Sequence, residues 1–399
     1  MLLCVDGVPA YDIIQIINYI VLKGSTMTLN PSEREVLRLI YGSDGISRKA
    51  LAEMSGLSQA SLTKITKTLT EQEQIEEGER IGKGLGRKEV LLYANPRKYR
   101  YLGIDIGSFS IRLAVSDNGL NITHRKQFQT AHFSGEEPLL DHLTQEIAAF
   151  LEETGSSAID AIGIGVSGIV DAGLRRIVNI PNVTGWDNLH IADHLSAAFQ
   201  CPVYLDEGGR TMALAEKMKG KARGSKDFVV VHIGFGIVAG IMINGSLLRG
   251  YHNVGGLLGH TTVDESAGRC RCGNYGCLEN VVTFPILEAA YRQGQGDKSI
   301  SIVEAYALGD KVAIDICLNA GKALGIALSN LVNLFNPEAV YIGGAVAEQL
   351  PLVLEETKRT ILLRANRFAT VGLRPEVSSF GNNEGLMGSL TLAASSFLF

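Results

Sequence analysis

The sequence predicts an α/β protein in two parts: a small winged helix-turn-helix, then a body of two α/β lobes with a cleft between them. Three observations point there. Residues 30–100 hold three short helical periods followed by a glycine-rich basic hairpin. After Tyr101 the chain alternates apolar strands, many ending in glycine turns, with helical stretches. Its length of 399 residues suits two or three packed units, since domains run to about 100–200 residues.

Taken in order, SEREVLRLIY (32–41) puts Val36, Leu37 and Ile40 on one helical face behind a Ser32 cap. RKALAEM (48–54) forms a second helix behind Ser47. After a Ser55-Gly56-Leu57 turn, Ser58 caps a third, QASLTKITKTLTE, which buries Leu62, Ile65 and Leu69. A hairpin tip, IGKGLGRKEVLLYAN (81–95), supplies the wing, and Asn95-Pro96 marks the exit. The expected units are an N-terminal segment (1–29), the winged helix (30–97) and the body (98–399). The apolar face of the first segment, around Ile13, Ile14, Ile17, Tyr19 and Ile20, fits either an extra helix in a dimer or a packing strap.

In the body, YLGIDIGSFSIRLAVSD (101–117) reads as a strand, a glycine turn and a second strand. Further strands lie in 158–171, 201–209, 227–245 and 338–346, with helices over 138–153, 211–219 and 311–333.

Composition excludes several classes. With 46% hydrophobic residues the chain is not disordered, and six cysteines are too sparse for a disulfide scaffold. No membrane span is expected: the apolar run at 13–22 is about half the roughly 20 residues required. It also lacks the flanks of a signal peptide, so a cytoplasmic protein with reduced thiols is the default. A net charge of -5 argues against nucleic-acid binding over the whole surface. It hides an asymmetry, however. Residues 30–100 hold 13 Lys+Arg against 10 Asp+Glu, a balance of +3, which leaves the remainder at -8.

The helix-turn-helix carries the first chemistry. DNA's major groove admits a helix, and polar residues near its start reach base edges. Here that start offers Ser58, Gln59, Ser61, Thr63 and Lys64, with Lys67 suited to phosphate and Ser47 at the preceding helix start. In the wing, Lys83, Arg87 and Lys88 can follow the backbone or enter a minor groove. The competing possibility is a three-helix module that binds protein.

His260 with Cys270, Cys272 and Cys277 (260–277) carries the second. One imidazole and three thiolates make a tetrahedral set suited to structural zinc, with no open position for a catalytic water. The alternative is a redox pair or inert thiols. The glycine turns GIDIGSFS and IGFGIVAG are weaker, because such turns approach phosphates but are also ordinary structure.

Together these motifs resemble the ROK family, which groups transcriptional repressors and sugar kinases on an actin-like ATPase (ribonuclease H-like) fold. GIDIG at 103–107, SGIVD at 167–171, IPNVTGW at 180–186, GH at 259–260, CRCGNYGCLE at 270–279 and NLFNPEAVYIGGAV at 333–346 match it in order, over about 30 to 399. The winged helix resembles the repressor branch.

The resemblance also exposes departures. The family's kinases take their catalytic base from an Asn-Asp-Ala-Asn turn, which corresponds here to Glu207-Gly208-Gly209-Arg210. Gly208 has no side chain to accept a hydroxyl proton. The phosphate turns carry Phe109 and Phe235 where the family has hydroxyls, so no ATP is expected. Of the sugar-binding set, His260 and Glu279 remain, alongside Asn182, while Leu257 replaces a glutamate. Arg210 either meets an acidic, sugar-derived effector or pairs with Asp206 or Glu207 and closes the pocket.

The expectation is a regulator, a repressor of carbohydrate-related genes, in which a kinase-dead body dimerises, or forms a dimer of dimers, on a palindromic DNA operator. The alternatives are an atypical sugar kinase with a DNA-binding appendage and a protein-interaction scaffold.

Overall fold

The computed structural model describes residues 29–81, 88–133, 139–156, 158–173, 175–181, 183–294, 297 and 299–399. The expectations for residues 1–28 and for Lys83, Arg87 and Asn182 fall outside these.

The first unit runs α1 (Pro31–Tyr41), β1 (Ile46–Ser47), α2 (Arg48–Ser55), α3 (Gln59–Glu71), β2 (Ile75–Ile81) and β3 (Glu89–Ala94). Its three strands pair in the order β1-β3-β2. The cap of α1 is Asn30, not Ser32. Its side chain accepts from the Glu33 N–H while Glu33 reaches back to the Asn30 N–H, and Pro31 begins the helix where no amide is needed. Val36, Leu37 and Ile40 are buried as the periodicity requires, and Tyr41 joins them. In α3, Thr66 rather than Ile65 completes the buried stripe with Leu62 and Leu69.

The first lobe contains β4 (Tyr101–Ile106), β5 (Ser110–Ser116), β6 (Ile122–Gln129), α4 (Leu139–Glu153), β7 (Ala161–Val166), β8 (Ile169–Asp171), β9 (Arg176–Asn179), α5 (Ile191–Phe199), β10 (Val203–Glu207) and α6 (Gly208–Met218). Its main sheet has the order β10-β7-β4-β5-β6. The expected glycine turn at 208–209 is instead the first turn of α6, because Glu207 caps it by accepting from the Gly209 and Arg210 N–H groups.

The second lobe contains β11 (Phe228–Ile233), β12 (Ile237–Ile243), β13 (Ser246–Leu247), α7 (Glu279–Val282), α8 (Phe284–Gln293), α9 (Ile302–Ala307), α10 (Lys311–Phe335), β14 (Ala339–Gly343), α11 (Ala345–Gln349), α12 (Pro351–Arg364) and β15 (Arg374–Val377); the last helix, α13 (Glu384–Leu398), returns to pack on the first lobe's sheet. Its sheet order is β13-β12-β11-β14-β15. Each lobe thus joins a β-hairpin edge to parallel strands fed by crossover helices. By length and composition α10 alone among the described helices could cross a membrane. Its apolar side is buried in the second lobe, among Leu324, Leu328 and Val332.

Two helices between the sheets join the lobes, and glycines set their approach. A Cβ at Gly163 would lie 1.9 Å from the Ser389 carbonyl oxygen of α13, and one at Gly240 would lie 2.0 Å from the Gly209 oxygen of α6. Neither position tolerates a side chain without moving backbone.

Candidate nucleic-acid interface and interlobe site

At the start of α3, Ser58, Gln59, Ser61, Thr63, Lys64 and Lys67 are all exposed. The Ser58 hydroxyl accepts from the Ser61 N–H at 3.1 Å, and the Thr63 hydroxyl donates to the Gln59 carbonyl at 2.8 Å. These local bonds leave the Gln59 and Lys64 side chains as the long groups facing outward. Lys88 is exposed at the base of the wing. Ser47 is buried, and its hydroxyl accepts from the Ala50 N–H to cap α2.

The winged helix docks on the body through contacts invisible in local sequence. The chain's end returns to it: Leu398 and Phe399 pack on its apolar core, with the Phe399 ring edge-on to Tyr41 at 5.9 Å. The Tyr41 and Tyr101 hydroxyls both donate to the buried Asn118 side chain. Arg223, just beyond α6, forms two bonds to Asp44, at 2.9 and 3.2 Å.

At the other end of α6 lies the interlobe site. Arg210 is 1% exposed, and its Nε donates to Asp206 Oδ1 at 2.7 Å. Arg249, which no sequence motif singles out, donates to the other Asp206 oxygen at 2.7 Å. Arg210 also donates to the Asn253 carbonyl at 3.1 Å. Of the two alternatives for Arg210, the pairing with Asp206 is the one formed. The cavity left beside it, lined by Ile169, Glu207, Arg210, Ile237, Asn253 and Leu257, is about 30 Å³. Burial pushes the Glu207 carboxyl up to about 7, although it accepts two amide bonds.

The two glycine turns face each other across the cleft. Phe109 and Phe235 stack with ring centroids 4.1 Å apart and planes tilted by 30°. They occupy the space between the turns with two apolar rings.

His260 Nδ1 lies 3.7 Å from the Cys270 sulfur, and the Cys272 and Cys277 sulfurs are 3.7 Å apart. All four ligand atoms fall within 4.8 Å of one another. Gly276 is required here: its φ is +68°, and a Cβ would meet the Asp264 oxygen at 2.4 Å. Burial and the two neighbouring thiols push Cys277 up to about 12. One imidazole and three sulfurs drawn this close form a donor set that fits zinc. Glu279 stands 3.8 Å from His260 and accepts from the Ile237 N–H at 3.1 Å, which ties the loop to a cavity-lining residue.

Fold and site define a class: a body built like a sugar kinase, joined to a helix-turn-helix of DNA-binding type. The chain belongs to the ROK family, whose model matches residues 101–396, and residues 29–77 match the MarR family. It is 29% identical over 381 residues to the xylose repressor of Caldicellulosiruptor bescii, covering 91% of this chain and 95% of that one. The DNA-binding transcriptional dual regulator NagC of Escherichia coli is 27% identical over 377 residues, covering 91% and 92%. A solved ROK family transcriptional regulator, a homologue of the E. coli MLC protein, superposes with a TM-score of 0.75 at 27% identity, covering 92% and 95%. The ROK hexokinase of Thermus thermophilus, 28% identical with a TM-score of 0.60, covers 97% of its own length but only 74% of this chain. The chain is thus a transcriptional regulator of the ROK family.

Proposed function

We propose that this protein represses genes of sugar utilisation by binding a palindromic operator as a dimer or a dimer of dimers, in the cytoplasm, and that it transfers no phosphoryl group. The observation that carries the reading is α6. Its N-terminal turn, with Glu207 and Arg210, lines the interlobe cavity, while Arg223, just beyond its C-terminal end and bonded to the Lys219 carbonyl there, pairs with Asp44 of the winged helix. One rigid helix thus links a pocket to the module that would meet DNA. A ligand that preferred one position of α6 would shift the population of DNA-competent arrangements by its differential affinity for them. Zinc in the His260, Cys270, Cys272 and Cys277 set would hold the loop beside that pocket in place.

Gly208 supports the non-enzymatic reading. A Cβ there would meet nothing nearer than the Val166 oxygen at 3.4 Å, so packing does not demand a glycine. The missing carboxylate is a chemical loss rather than a steric necessity. Phe109 and Phe235 stand where a phosphate cradle would need donors.

Selection of duplexes from a random library by the full-length protein, with a coupled ATPase assay on a hexose panel, tests both halves. A palindrome should emerge, and neither wild type nor Gly208→Asp should turn over ATP. Failure to enrich any sequence would remove the repressor reading. Turnover by the wild type would restore the kinase.

A further inference from the structure

On the first lobe, away from the cleft and the cysteine loop, three side chains converge. His142 and Glu146 are four residues apart on α4 and so share one face. His132 approaches them from the short 3-10 turn Thr130–Phe133. Their ligand atoms lie within 4.8 Å of one another, with His132 Nε2 3.9 Å from Glu146 Oε1.

Aromatic rings pack against the two imidazoles, and a lysine lies beside the carboxylate. The buried Phe133 ring packs edge-on to His132 at 5.4 Å and lies 5.1 Å from His142. Phe128 lies parallel to the His132 ring. Lys126 approaches the other Glu146 oxygen, Oε2, at 3.8 Å, which leaves Oε1 on the side of the imidazoles.

We infer that His132, His142 and Glu146 form a second metal site, a facial set of two imidazoles and one carboxylate for a divalent transition-metal ion. Two nitrogens and one oxygen suit zinc, cobalt, nickel or ferrous iron rather than magnesium or calcium, which take oxygen ligands. Metal–ligand bonds of about 2.1 Å draw such atoms closer together than they stand here. The exposed His132 ring supplies that contraction by rotating.

The site also has something to act on. Two residues before His132, Thr130 donates from its N–H to the Phe109 carbonyl at 2.9 Å and from its hydroxyl to the Gly107 carbonyl at 2.7 Å. An ion clamping the 3-10 turn to α4 would therefore steady the glycine turn that carries Phe109 to Phe235.

Cobalt(II) titration of the tag-free, full-length protein, purified with zinc, tests this. One further equivalent should bind, giving visible d–d absorption without the thiolate charge-transfer band that cysteine ligation adds. His142→Ala should weaken that step at least tenfold without changing zinc content. The inference is overturned if no further equivalent binds, or if His142→Ala takes it up as tightly as the wild type.

Discussion

Phe109 and Phe235, from opposite lobes, stack 4.1 Å apart at the mouth of the cleft, each about half exposed. The contact joins the two glycine turns that carry these rings. Aromatic pairs of this geometry contribute about 0.5–1.5 kcal/mol beyond their buried area. A double-mutant cycle of Phe109→Ala and Phe235→Ala, read by urea unfolding, should show coupling in that range. Additive single effects would mean that the rings meet without holding the lobes.

Asp206 is the hub of the interlobe site, with a guanidinium on each oxygen. Replacing it by alanine leaves Arg210 charged, buried and unpaired. Breaking a buried pair from one side costs about 3–5 kcal/mol. Asp206→Ala should lose stability on that scale, whereas Lys67→Ala, which breaks only the exposed Lys67–Glu71 pair, should lose less than about 1 kcal/mol.

Glu207 should make stability depend on pH. Its carboxyl titrates near 4.5 when unfolded and is pushed up to about 7 in the fold by burial. The folded state therefore keeps a proton that the unfolded state releases. The resulting stabilisation is full below pH 4.5 and is lost as pH rises towards 7. The melting temperature of wild type minus that of Glu207→Gln should fall from pH 5 to 7 and level off above. A flat difference would place the carboxyl in its ordinary range.

Cys272→Ser should release zinc and lower the melting temperature, because binding energy at a structural site is folding energy. Metal analysis of freshly purified wild type should give zinc bound to the loop. Its absence, with unchanged stability in the variant, would leave the four residues as a packing cluster.

DNA affinity should fall steeply with salt. Lys64→Ala should weaken binding to all sequences and reduce the log–log salt slope by about 1, whereas Gln59→Ala should relax preference at one base position. An unchanged slope would show that Lys64 meets no phosphate.

The two-part architecture was legible because its signals are local. The α3 stripe is written in side-chain period and the cysteine loop in ligand spacing. Cap placement was less legible, since Asn30 and Ser32 both precede the same apolar period and only the reciprocal bonds with Glu33 choose between them. Ser47 shows the same limit from the other side: a serine at a helix start reads alike whether it faces DNA or is buried as a cap.

By itself, then, the sequence determined the winged helix, the two lobes and the cysteine–histidine loop. Each depends on residue type at short range. Tertiary structure decided what lies far apart in the chain: Arg249 on Asp206, Arg223 on Asp44, Phe399 against Tyr41, and Phe109 on Phe235. Such pairings arise from how sheets and helices stack, and no local period records them. They also join the DNA-binding module, the helix behind the pocket and the two lobes into a single connected body.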